Sequence, residues 1–373
     1  MKTRSDHNPA ETGYILLICA LTFLVMSVRP SFGQIDTAGN KKHDKDAPVR
    51  YLSLFEDEDI LEVSLHFDLT RFLKKADRDQ SIDGIMTLHF SQADSMEKKV
   101  TAKYRGQSRY ERCKYPPARI TFKKPVYEGS DSGRIKKIKL VNQCQPATIY
   151  EDYLIREYLV YKLYNVVTDT SFRVRLVRLN YIDTEKKRKP IIQYGMLVEP
   201  EGLVESRLNL LEVKSKALSM RHMRPTMIDR IAIFNYMVSN WDWSVPGQHN
   251  ISVFTSPIPS LAGQGIPIPF DFDLAGVVNA DYAIPLPETG LTSNRDRTFL
   301  GICRSREVFV SELKVFISKK DEFYSVVENS PHLRKAAKRD ITFFLDQFFD
   351  QLEKPRGFDR MVDLFLANCK DFQ

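Results

Sequence analysis

The spacing of apolar residues changes halfway along the chain, and this change limits the folds open to it. Apolar and polar residues alternate in the first half, a period of two that predicts half-buried β-strands. In the second half most apolar residues recur at helical spacing. Strands are predicted at 61–67, 85–90, 119–122, 135–141, 171–182 and 190–198. The pattern is that of an α+β chain with a β-rich first part and a mainly helical second part.

One prominent helix, at about 150–165, interrupts the β-rich part. Glu157 shares a face of this helix with Tyr153, Val160 and Tyr164, which makes it an acid among apolar neighbours. A later helix is predicted to run from Thr226 to about residue 239, because Thr226 and Asp229 have the spacing of a capping box. Further helices are predicted at 306–328, 334–353 and 358–369. The irregular stretch 240–300 lies between them, and a loop of that length is usually functional.

The N-terminus has the pattern of an export signal. An uncharged apolar run at 14–28 follows Lys2 and Arg4, and small residues stand at 31 and 33. We therefore predict a signal peptide at 1–33 and a flexible linker at 34–48, followed by a β-rich lobe at 49–200 and a helical lobe at 201–373. An uncleaved N-terminal anchor is the alternative. We expect a periplasmic or extracellular protein whose mature chain has no membrane span, since no other run is long enough.

Four cysteines remain after such a cleavage, namely Cys113, Cys144, Cys303 and Cys369. An even number in an exported chain permits disulfides. We predict a bond between Cys113 and Cys144, which fall on neighbouring predicted strands. Cys303 and Cys369 are expected to be free or paired with each other.

Positive charge is concentrated in one segment. Residues 98–139 contain fourteen Lys and Arg residues against three acidic ones. Such a field attracts anions such as phosphates, acidic polymers or lipid surfaces. We expect no nucleic-acid partner.

The segment 240–250 carries the clearest chemical signal. Asp242 lies between the only two Trp residues of the chain, and Asn250 follows eight residues later. Asp271 and Asp273 then come at the end of a predicted strand. An Asp that orients the attacking hydroxyl, followed by an Asn and an Asp that bind Mg²⁺, is the layout of phosphoryl transfer. The alternative is a polar turn in which these side chains cap local backbone groups.

Several segments resemble the spore coat protein H kinase-like family, in its exported bacterial branch. The resemblance covers about residues 60–305. It rests on 104–109, 113–119, 139–141 with Cys144, 156–164, 171–176, 240–250 and 270–283.

The resemblance implies an atypical protein-kinase-like fold of two lobes that binds ATP with Mg²⁺ and phosphorylates a protein acceptor. Asp242 then matches the catalytic acid, while Asn250 and Asp271 match metal ligands, with Asp273 as second choice for the metal. Glu157 fits the acid that pairs with a phosphate-binding cation. For that cation Lys139 is the first choice, followed by Arg119 and Lys123.

Two departures from kinase patterns keep a second function open. The chain has neither GxGxxG nor GxxxxGK, and the stretch 105–108 offers a single Gly where backbone should approach phosphates. A catalytically inactive exported binding module, using the basic segment on an acidic polymer or envelope partner, is therefore the alternative. A metal-dependent hydrolase has less support, because no His joins the carboxylates at metal-ligand spacing.

Overall fold

The computed structural model describes residues 49–74, 79–106, 108–130, 133–215 and 217–371. The predicted signal peptide and linker lie outside these ranges. Strands and helices follow the predicted order, with β-structure first and helices later. The first part contains β1 (Tyr51–Leu52), β2 (Leu61–Phe67), α1 (Leu69–Lys74), β3 (Ile82–His89), β4 (Ser95–Tyr104), α2 (Ser108–Arg112), β5 (Ala118–Glu128), β6 (Arg134–Asn142), α3 (Thr148–Val167), β7 (Val174–Asp183) and β8 (Ile191–Val198).

The second part is mainly helical, as its spacing predicts. It contains α4 (Glu201–Leu208), β9 (Leu211–Glu212), α5 (Pro225–Val238), β10 (Ile251–Thr255), β11 (Ile266–Pro269), α6 (Arg306–Ser318), α7 (Lys320–Glu328), α8 (Lys335–Glu353) and α9 (Gly357–Asn368). The predicted helix at 306–328 is two helices, α6 and α7. The stretch 240–300 contains a hairpin, β10 and β11, which joins β9 in a small antiparallel sheet.

The β-rich part is a closed barrel, which a kinase-like N-lobe does not predict. Seven strands follow the order β5-β4-β3-β2-β7-β8-β6, and β6 pairs back onto β5. The 11-residue β5 pairs with β4 along one edge and with β6 along the other, and its register with β6 shifts between Thr121 and Val126. Such irregularities bend a strand and increase its twist. Because the barrel is closed, none of these seven strands has an unpaired edge. The short β1 lies outside the seven and pairs with the end of β5.

Two hydrophobic clusters stabilise the described residues, which form one compact unit from residue 49 onward. One fills the barrel, with Leu65, Val100 and Ile120 fully buried. The other packs α3 against α5 and the C-terminal helices. Within the described ranges, no helix combines the length and hydropathy needed to cross a bilayer.

The predicted capping box at the start of α5 is wrong. The helix begins at Pro225 and its N-cap, Arg224, makes no side-chain capping bond. Proline suits this position because its fixed φ matches the helix and it has no N–H to leave unpaired. Asp229 is instead buried, and its two carboxylate oxygens share the hydrogen bond donated by Nε of Arg304, at 3.0 and 3.1 Å. Asp229 therefore pairs with a residue distant in the sequence and does not cap the helix.

Candidate functional site

Four of the predicted site residues line a single cleft. The cleft encloses about 600 Å³, and its walls include Asp242, Asn250, Asp271 and Asp273. Residues from the loop before α2 and from α2 itself also line it. The spacing in sequence therefore corresponds to proximity in space for these four residues.

The loop 240–250 holds Asp242 and Asn250 together. Ser244 and His249 exchange two backbone hydrogen bonds of 2.9 Å, which closes the loop on itself. Asn250 has a φ of 54°, a left-handed conformation that Asn tolerates better than most residues. Its Nδ2 donates to the backbone oxygen of Asp242 at 2.8 Å and to Oδ2 of Asp242 at 2.9 Å.

His249 completes the surroundings of Asp242. Its Nε2 lies 2.8 Å from Oδ1 of Asp242. Burial raises the pKa of Asp242, and the neighbouring His249 opposes that rise. Sequence reasoning missed His249, although Pro246-Gly247 marks a turn that brings residues 242 and 249 face to face.

Asp271 and Asp273 follow strand β11 and differ in exposure. Asp271 has a φ of 61°, and its backbone N–H donates to the hydroxyl oxygen of Tyr161 at 2.8 Å. Its side chain is 31% exposed, whereas that of Asp273 is 8% exposed. Asp271 is thus the carboxylate that is accessible from the cleft.

Gly276 lets this segment approach the end of α5. Its N–H donates to the backbone oxygen of Ser239 at 2.8 Å. A Cβ at this position would lie 2.4 Å from the backbone oxygen of Asn294 and 2.7 Å from Cβ of Ser239. Only glycine allows the approach that sets the 270–276 segment beside the loop containing Asp242.

A buried cation connects the acids behind the cleft. Nη2 of Arg109, on α2, lies 2.7 Å from Oε2 of Glu157, and Nε lies 2.6 Å from Oδ2 of Asp273. Nη2 is also 3.6 Å from Oδ1 of Asp271. Arg109 is 7% exposed and Glu157 is 1% exposed. These four residues are called the charge cluster below.

The predicted partners of Glu157 are corrected by this contact, because its cation is Arg109. Lys139 pairs instead with Glu201, at 2.5 Å, and lies 4.5 Å from the ring centre of Phe270. Lys123 pairs with Asp83 at 3.0 Å on the barrel surface. Arg119 lines a different pocket with Lys137 and Glu212. The sequence contained one signal for Arg109. It precedes Cys113 by four residues, about one helical turn, and so lies close to the predicted disulfide.

The charge cluster contains more negative than positive charge. Burial raises the pKa of Glu157, and Arg109 offsets only part of that rise. Burial likewise raises the pKa of Asp273. Oε1 of Glu157 is buried without a hydrogen-bond partner. One guanidinium therefore serves three carboxylates, and an additional cation or proton would stabilise the site.

The disulfide predicted between Cys113 and Cys144 is confirmed and lies beside the charge cluster. The cysteines lie in the loops after α2 and β6 rather than on strands. The bond fastens the end of α2 to the start of α3, the two helices that carry Arg109 and Glu157. Cys303 and Cys369 also pair. Two disulfides are consistent with an oxidising, exported environment.

Comparison with known proteins adds little. The chain matches no family model and no curated protein. One similar solved structure is the Helicobacter pylori proinflammatory kinase CtkA, at 8% identity and a TM-score of 0.33, covering 78% of this chain and 91% of that one. The relationship to the spore coat protein H family remains a resemblance between sequence segments.

Proposed function

We propose that this protein is an exported kinase-like phosphotransferase that binds ATP with Mg²⁺ and transfers the γ-phosphate to a protein acceptor. The observation that carries the proposal is the convergence of Asp242, Asn250 and Asp271 on one cleft, backed by the Arg109–Glu157 pair. Phosphoryl transfer depends mainly on positioning and on charge stabilisation, and these groups supply both.

Asp242 is the proposed catalytic base. Its carboxylate is held by His249 and Asn250 and has a raised pKa, which suits a group that accepts a proton from a hydroxyl. Both contacts restrict its orientation, so that an acceptor hydroxyl in the cleft would meet a fixed carboxylate.

The residues fit Mg²⁺ as a shared site rather than as a complete cage. Asp271 is accessible from the cleft, and Asn250 binds Asp242 through Nδ2, which leaves its Oδ1 for a cation. Asp273 is the weaker choice because Arg109 already binds its Oδ2. No group of three His, Cys, Asp or Glu side chains in the described part of the chain could hold a metal by itself. A metal held there would supply positive charge against the phosphates of the nucleotide.

The charges of the cleft support joint binding of metal and nucleotide. Four acidic side chains line it, Glu111, Asp242, Asp271 and Asp273, against three arginines, Arg105, Arg109 and Arg112. ATP alone would meet an excess of negative charge, and Mg²⁺ alone would lack ligands. Each should therefore bind weakly without the other.

Titration of the mature protein with ATP, with MgCl₂ and with both tests this proposal, using thermal melting and Trp fluorescence as readouts. Together the two ligands should stabilise the protein by about 2.7 kcal/mol at a concentration of 100 Kd. Asp271→Asn should abolish the joint effect, whereas Asp359→Asn, an exposed acid of α9, should retain it. Asp242→Asn should keep binding and lose transfer of labelled phosphate to casein, a generic acceptor. Independent action of the two ligands, or an intact response in Asp271→Asn, would refute the proposal.

One observation favours the second candidate, a binding module for an acidic polymer. On neighbouring strands of the barrel, Lys103 is paired with Arg119 and Arg119 with Lys139. Like charges directly opposite each other are destabilising, so such a row suggests a role in binding anions. This function predicts salt-sensitive heparin binding that Asp271→Asn does not change.

A further inference from the structure

The cations near the cleft differ in how far they are already engaged. Arg109 is buried and holds Asp273 and Glu157 with Nε and Nη2. Nη1 of Arg112 donates to the backbone oxygen of Tyr282 at 3.0 Å. Lys139 is paired with Glu201 and lies over Phe270. Arg109, Arg112 and Lys139 thus each already have a partner within the protein.

Arg105 is in a different situation. It follows the last residue of β4, and its backbone N–H donates to the oxygen of Pro117 at 2.9 Å, which anchors the loop. Its side chain is partly exposed and lines the same cleft as Asp242 and Asp271. Among the residues described, no acid forms an ion pair with it. Arg105 is therefore a guanidinium held at the cleft with its donors available.

The surroundings of Arg105 also favour an anion. Burial lowers the pKa of Lys139, Glu201 opposes this effect, and Arg105 adds to it. Arg105 therefore lies close enough to Lys139 for the two like charges to repel each other. Glu201 offsets part of that repulsion, because both Lys139 and Arg105 lower its pKa. A phosphate bound at Arg105 would add a second anion to this pair of cations.

We propose that Arg105 binds the polyphosphate chain of the nucleotide, while Arg109 serves the structural ion pair with Glu157. This inference rests on the proposed function. In protein kinases a single lysine contacts the phosphates and pairs with a glutamate, whereas here two arginines would each perform one of these tasks. A guanidinium can bind phosphate oxygens with two parallel hydrogen bonds, which compensates for a loop with one Gly in place of several.

Binding measurements on Arg105→Ala, Arg105→Lys and Lys114→Ala test the inference. Lys114 belongs to the same basic segment, is exposed and lies over the ring of Tyr115. Lys114→Ala therefore removes one positive charge, as Arg105→Ala does, but outside the cleft. Each protein is titrated with Mg²⁺ and ATP, with Mg²⁺ and inorganic tripolyphosphate, and with adenosine. Thermal melting without ligand checks that the variants fold.

Arg105→Ala should bind both Mg²⁺–ATP and Mg²⁺–tripolyphosphate at least tenfold more weakly, with adenosine affinity unchanged. Arg105→Lys should recover part of the loss, and Lys114→Ala should match the wild type. Equal ATP affinity in Arg105→Ala and wild type would overturn this inference and leave the proposed function standing. Wild-type protein that binds tripolyphosphate through Arg105 but discriminates against ATP would refute the kinase function alone. Binding of neither polyphosphate by the wild type would overturn both.

Discussion

The charge cluster and the outer surface of the barrel differ in the exposure of their charges, which are buried in the first and face water in the second. In the charge cluster, Arg109 is buried among three carboxylates within 4 Å. On the barrel, Lys103, Arg119, Lys123 and Lys137 lie on neighbouring strands with water on one side, and are called the cationic face below.

The comparison shows how the surroundings decide the effect of a charge. Buried charges interact strongly and are screened little by salt, so removing one partner is costly. Exposed charges interact weakly, and salt screens them. The charge cluster should therefore determine stability and its pH dependence, whereas the cationic face should determine salt-dependent attraction of anions.

The largest effect is expected for Arg109→Leu. Removal of this cation leaves Glu157 and Asp273 buried without a counter-charge, which should lower the free energy of unfolding by about 3–5 kcal/mol. Arg306→Leu is the control, because Arg306 pairs with exposed acids and should cost no more than about 1 kcal/mol. Urea unfolding measures both. A loss below about 1 kcal/mol for Arg109→Leu would show that the cluster is neutralised in another way.

A smaller effect is expected for Glu157→Gln as the pH changes. Because burial raises the pKa of Glu157 in the folded protein, the folded state binds more protons than the unfolded state above about pH 4.5. Stability should therefore fall as pH rises through that window. The variant should flatten the decline by on the order of 1 kcal/mol between pH 5 and pH 8.

Urea unfolding at each pH measures this difference. Glu322→Gln removes an exposed acid of α7 and should leave the slope as in the wild type. Identical slopes in wild type and Glu157→Gln would contradict the pKa shift.

The smallest effect is expected on the cationic face. Arg119→Thr relieves the repulsion from Lys103 and Lys139 on the flanking strands, and should stabilise the protein by about 0.2–1 kcal/mol at low salt. The gain should disappear in 1 M salt, where the screening length is about 3 Å. Arg119→Lys keeps the charge and should show no gain. A gain that persists in high salt would point to strand propensity rather than to charge.

Much of the local structure was predictable because it depends on local periodicity. The strand at 61–67 buries alternate residues, and this alternation is visible in the spacing of its apolar residues. The disulfide between Cys113 and Cys144 was also predictable, although its loop positions were not. Asp242, Asn250 and Asp271 were recognised because their spacing along the chain carries the signal, while their chemical roles stay predictions.

The predicted capping box and the predicted partners of Glu157 were wrong for the same reason. The capping box failed because Asp229 found a distant partner in Arg304, which no local pattern contains. Lys139, Arg119 and Lys123 were the predicted partners of Glu157, yet α2 places Arg109 against it.

The sequence by itself determined the order of strands and helices, the acidic loop residues and the cysteines available for pairing. Each of these depends on residue identity and on spacing within a short segment. Only the tertiary structure decided that β6 closes onto β5, that His249 supports Asp242 and that Arg109 connects Glu157 with Asp273. Such contacts join residues up to 164 positions apart. Their choice depends on which charged group the packed barrel and helices bring within reach, and the sequence offers several groups of equal charge for each position.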